Sequence, residues 1–109
     1  MSKVGTALLA AILVSASAIG LVALVEAQPP FRIGATPSQT GVYAALGQNQ
    51  LRGYQLCVKH TNEKGGVLGR KLELVVYDDE SDPATAVRLY ERLITQNKVD
   101  QVLGPYGSP

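Results

Sequence analysis

From Phe31 to Gly104 the sequence alternates short β-patterned stretches with longer α-patterned ones, in the order strand, helix, strand, helix, strand. No other feature limits the fold as much. Strands joined by helical crossovers pair in parallel, and those crossovers take the right hand almost without exception. The expected fold class is α/β: a three-stranded parallel sheet of order 2-1-3 with helices on both faces. In that order the two crossovers run in opposite directions. A crevice then opens beyond the carboxyl ends of strands one and three, where sheets of this kind bind ligands. The loops Pro37 to Tyr43 and Pro105 to Ser108 flank it.

The individual elements carry their own punctuation. Phe31 to Thr36 reads as the first strand, launched by Pro29-Pro30 and ended by Pro37, which lacks the amide a strand needs. After the polar turn Ser38 to Gly41, a three-and-four spacing of Ala44, Leu46 or Gly47, Leu51, Tyr54, Cys57 or Val58, and Thr61 lays one stripe of a helix against the sheet. Gly53 inside that helix implies close packing on the sheet. Lys64-Gly65-Gly66 stops it. Lys71 to Tyr77 alternates as a strand, and Asp82-Pro83 opens a second helix with a capping aspartate and a first-turn proline. Val87, Tyr90, Leu93 and Ile94 are its expected buried stripe, and Asp100 to Gly104 is the third strand.

Residues 1–27 belong to targeting. No charge lies between Lys3 and Glu26, and Ala7 to Val14 and Ile19 to Val25 are almost wholly apolar, as in a secretory signal peptide ending at the small residues of Val25-Glu26-Ala27. The 22 uncharged residues from Val4 to Val25 are also long enough for an uncleaved anchor. Either reading exports residues 28–109 to a periplasmic or other extracytoplasmic space. Those 82 residues carry nine Lys or Arg against eight Asp or Glu, a balance that points away from nucleic acid. Ordering them costs on the order of 100 kcal/mol, more than so short a chain with a parallel sheet readily offsets, so they read as an incomplete lobe.

The chemistry-bearing residues are sparse. Cys57 is the one cysteine and reads as a small buried apolar residue; His60 stands alone, without a second ligand at metal spacing. The acidic run Asp78-Asp79-Glu80 with Asp82 reads as a solvated turn with capping carboxylates, following strand two and away from the crevice. Gly34 and Gly41 lack the spacing of a dinucleotide fingerprint. No nucleophile stands beside a base, so no catalytic residue, metal or cofactor is expected.

Taken in order, Ile33-Gly34-Ala35-Thr36-Pro37 with Thr40-Gly41, Gly53-Tyr54-Gln55-Leu56, Asn62 to Arg70, Tyr77 to Pro83 and Gly104 to Ser108 resemble the leucine/isoleucine/valine-binding protein family. The resemblance implies the N-terminal part of a type I periplasmic-binding-protein lobe, in a two-lobed solute-binding component of an ABC importer. Its partners would be a small molecule, a branched-chain or other amino acid or related compound, and a membrane permease. The same fold also serves as the sensing domain of receptors and of amide or amino-acid regulators. In such proteins hydroxyls and amides after the third strand hold the ligand carboxylate. Ser108 matches that serine, Gly107 departs from a second serine, and Tyr106 is placed on the pocket wall. Tyr43 would supply the aromatic contact after the first strand, unless Leu46 marks the equivalent point.

Overall fold

The computed structural model describes residues 28–107, and the segment read as a signal peptide lies outside them, as do Ser108 and Pro109. The elements are β1 (Phe31–Ala35), α1 (Ala44–Glu63), β2 (Leu72–Val76), α2 (Pro83–Thr95) and β3 (Gln101–Val102). The three strands form one parallel sheet of order β2-β1-β3. Ile33 pairs with Leu74 on one side and with Gln101 on the other. The fold class and strand order expected from the sequence are those observed.

All three strands start at one pole, and side chains lock that pole. Arg70 donates from Nε to Pro29 O at 2.9 Å and from its guanidinium to Pro30 O at 3.0 Å, and lies 5.2 Å over the Phe31 ring. Its other neighbour, Asp100, stands 3.6 Å away and accepts Arg32 N–H at 2.8 Å. The approach to each strand is thereby tied to the next. At the start of β2 the Asn62 side chain imitates a strand partner, accepting Leu72 N–H at 2.7 Å and donating to Leu72 O at 2.9 Å.

The helix faces differ from expectation in detail. On α1 the inward stripe runs through Gly47, Leu51, Tyr54, Val58 and Thr61, leaving Leu46 exposed. Cys57, expected to be buried, is exposed. Gly53 is not a packing glycine either, since a Cβ there would meet nothing within 4 Å. Gly47 takes that role, with a Cβ at that position overlapping the Ser38 carbonyl. On α2 Ala86 and Leu93 are buried and Tyr90 half-buried, whereas Val87 and Ile94 are 68% and 57% exposed. A stripe through 86, 90 and 93 is rotated about one residue from one through 87, 90 and 94. The sheet beneath is three strands wide and β3 is two residues long, so only the axis of the stripe finds cover. Leu93 reaches β1 there because Gly34 offers no side chain, its Cβ position lying 3.0 Å from the leucine methyls.

Candidate functional site

Parallel strands deliver their carboxyl ends to the pole opposite Arg70, and three loops meet there: residues 36–43 after β1, 77–82 after β2 and 103–107 after β3. Between them lies a cavity of about 450 Å³. Tyr43 from the first loop and Tyr106 from the third line it in contact with each other, ring centroids 5.8 Å apart at 53°, a tilted pair within the range aromatic rings favour. Gly107, which has φ 87°, also lines the cavity, and a Cβ there would lie 4.0 Å from the Tyr43 ring. Three of the four site residues expected from the sequence, Tyr43, Tyr106 and Gly107, are thus brought together. The fourth, Ser108, lies outside the described residues.

The acidic run departs from its expected place. Its loop lines the cavity through Asp79, Ser81 and Asp82 rather than lying away from the crevice, and Asp79 is only 3% exposed rather than solvated. Asp78, Asp79 and Asp82 each have donors from this chain. Asp79 accepts the Ser38 hydroxyl at 2.6 Å and Ser81 N–H at 3.0 Å. Asp78 accepts Gln39 N–H at 2.7 Å, the Thr40 hydroxyl at 2.7 Å, Thr40 N–H at 3.3 Å and Glu80 N–H at 2.9 Å. Partial burial raises the Asp78 pKa, but the four hydrogen bonds together outweigh it and hold the carboxyl below its ordinary 3.8. Asp82 caps α2 as the sequence implies, accepting the Thr85 hydroxyl and N–H at 2.7 Å each, and those bonds lower its pKa as well.

The sequence reading missed Ser38, Asp79, Ser81 and Tyr90 as residues of this pole. Tyr90 rises from α2 into the cavity wall and donates its hydroxyl to Leu103 O, tying the helix to the strand exit that carries Tyr106. Burial pushes its phenol above 10.0, with the Thr36 hydroxyl pulling the other way. Thr36 Oγ1 is itself buried and makes no hydrogen bond of normal geometry. The signal for Ser38, Asp79 and Ser81 was present as hydroxyls and carboxylates on two loops leaving adjacent strands. That they pair across the gap is a tertiary fact.

Chemically the site is a largely apolar basin with two tyrosine rings on its walls, and its two lining carboxylates, Asp79 and Asp82, are engaged by internal donors. Such a surface suits a small solute with an apolar body. Comparison with known proteins agrees with the architecture. Residues 30–109 match the model of a family described as periplasmic binding protein. An amino acid binding protein of Pseudomonas aeruginosa is 36% identical over 76 residues, which are 70% of this chain and 20% of that protein. The Leu/Ile/Val-binding protein of Escherichia coli K12 is 32% identical over 104 residues, 95% of this chain and 27% of the relative. Among solved structures, the branched-chain amino acid transporter substrate binding protein of Streptococcus pneumoniae, in complex with isoleucine, superposes with a TM-score of 0.68 at 37% identity, covering 70% of this chain and 22% of that one. The chain therefore spans about a quarter of the length of the relatives it matches. With a family model covering its whole α/β part and relatives that share both order and architecture, the chain belongs to the periplasmic binding protein family, within the group of Leu/Ile/Val-binding proteins.

Proposed function

We propose that this chain supplies part of the first lobe of an extracytoplasmic solute-binding protein that delivers a branched-chain or related amino acid to an ABC importer. The action is capture without chemistry: two lobes close on the solute and exchange its hydration for fixed hydrogen bonds and an apolar wall. The observation that carries the reading is the meeting of Tyr43 and Tyr106 over a cavity at the carboxyl ends of β1 and β3, where an open α/β sheet binds ligands. Relatives named as binders of leucine, isoleucine and valine support the choice of solute class. Residues 1–27 act in this reading as the export signal, and a membrane permease is the partner of the loaded protein.

Ser108 follows Gly107 directly, two residues beyond Tyr106. Its proposed role is to donate, with neighbouring backbone amides, to the α-carboxylate of the solute, a neutral donor set that adds no charge of its own. In the full-length protein Ser108→Ala is expected to weaken isoleucine binding by about 1–3 kcal/mol, the worth of a hydrogen bond to a charged group. Calorimetry reads it directly. Unchanged affinity would remove Ser108 from the site, and a full-length protein that takes up none of leucine, isoleucine or valine would end the reading.

A further inference from the structure

We infer that Ser81 is a positioning residue for this mouth: its hydroxyl, presented by a left-handed turn, fixes Tyr43 and with it the tyrosine wall that a bound solute meets. The inference rests on the proposed solute site and goes beyond it to a residue on the loop after β2. Tyr43 is the capping residue of α1 yet makes no side-chain cap hydrogen bond. Its backbone N–H is satisfied from the neighbouring β2–α2 loop, donating to Ser81 Oγ at 3.1 Å, while the same hydroxyl donates to Thr40 O at 2.7 Å. One hydroxyl uses both its proton and a lone pair on residues at the two ends of the Thr40–Tyr43 turn. The turn is thereby held at a set distance from the β2–α2 loop.

The backbone at this point is unusual. Glu80 and Ser81 both have left-handed conformations, with φ 57° and 60°. Residues other than glycine adopt that region rarely, and such strain persists where surrounding contacts hold it, often at ligand clamps. Glycine would relieve the strain at position 81, at the loss of the hydroxyl. Opposite stands Gly41, with φ 82°, where a Cβ would come within 2.6 Å of Glu80 O and 2.7 Å of Ser81 Oγ. The two loops therefore interlock, a glycine giving way on one side and a hydroxyl reaching over on the other. Because the Tyr43 ring leans on Tyr106, a shift of Tyr43 disturbs both walls.

Ser81→Gly separates the hydrogen bonds from the strain, since glycine accepts this φ and carries no hydroxyl. Glu80→Gly is the control: it relieves the neighbouring residue and removes a carboxylate that makes no hydrogen bond or salt bridge among the described residues. In the full-length protein the readouts are the melting temperature, hydrogen exchange at the Tyr43 amide, and isoleucine affinity by calorimetry. Ser81→Gly is expected to melt at or above the parent temperature, to exchange the Tyr43 amide faster, and to lose affinity about two- to tenfold, the scale of one neutral hydrogen bond. Glu80→Gly is expected to leave exchange and affinity alone. Unchanged Tyr43 exchange in Ser81→Gly overturns the inference, as does unchanged affinity. So does an affinity loss that Glu80→Gly reproduces, or one accompanied by a lower melting temperature and faster exchange throughout α1, which marks a merely structural role. If the parent protein itself takes up none of leucine, isoleucine or valine, the proposed function falls by itself. Tyr43 exchange alone then decides the tie, faster exchange in Ser81→Gly upholding it and unchanged exchange ending it.

Discussion

Two glycines of α1 answer differently to the same substitution. A methyl group at Gly47 overlaps the Ser38 carbonyl, and backbone on both sides leaves neither helix nor loop room to yield. Gly47→Ala is expected to destabilise by about 1–3 kcal/mol, the usual cost of overpacking, and to loosen the loop that carries Ser38 to Tyr43. At Gly53 the same methyl enters open space, so Gly53→Ala is expected to stabilise by about 1 kcal/mol through helix propensity alone. Urea denaturation of the full-length protein should give opposite signs, and a shared sign would refute the assignment of close packing. The sequence holds both glycines at helical positions and offers no local mark to tell them apart. What distinguishes them is the Ser38 carbonyl, six residues before α1 begins, which approaches only because the chain doubles back after Pro37. Cys57 and Val58 present the same problem: adjacent residues on a helix differ by about 100°, and only the position of the sheet says which one turns in.

At the scale of elements, the legible features were those written in contiguous residues. Parallel pairing follows from the helical crossovers, and the α2 cap from Asp82-Pro83, because each is decided by local chemistry or a general rule of connection. The contacts between loops were not legible, since Ser38, Thr40 and Gln39 meet Asp78 and Asp79 about forty residues away in the chain. Those contacts give the fold an acid limit. The Asp78 pKa is depressed in the folded state relative to about 3.8 when unfolded, so the unfolded chain binds its proton first as the pH falls. The stabilisation is fully present above 3.8 and is lost as the pH drops through the lower folded value. Asp82, depressed by its bonds to Thr85, acts in the same window and with the same sign. The full-length protein is therefore expected to hold its stability from pH 7 to about 4.5 as far as these groups are concerned, then to lose it more steeply below 3.8. Asp78→Asn should flatten that acid limb in a series of melts. An unaltered slope below pH 3.8 would mean the Asp78 hydrogen bonds do not favour its ionised form.

For the molecule as a whole, the question is whether the described residues suffice to hold themselves together. The apolar side chains buried among them are Ala35, Pro37, Ala86 and Leu93, while Leu46, Leu56, Val87 and Ile94 are half or more exposed. Ile33, Leu51, Leu74, Val75, Val76 and Leu103 are only partly covered, and a parallel sheet is stable when both its faces are. The polar clasps at the two poles, the Arg70–Asp100 ion pair and the Thr40–Asp78 hydrogen bond, fix geometry but do not replace that cover, because partly exposed ion pairs are worth about 0–1 kcal/mol each. The cover for Val87, Ile94 and the two-residue β3 has to come from elsewhere, which fits a chain that spans about a quarter of its relatives' length. A polypeptide of residues 28–107 is therefore expected to show no sharp urea transition, poorly dispersed amide resonances and no isoleucine binding in calorimetry. A single steep unfolding transition would mean that these residues need no further cover. Micromolar capture of isoleucine by them alone would mean that the half-mouth at Tyr43 and Tyr106 is already a complete site. The two-lobed account of the function would then be wrong.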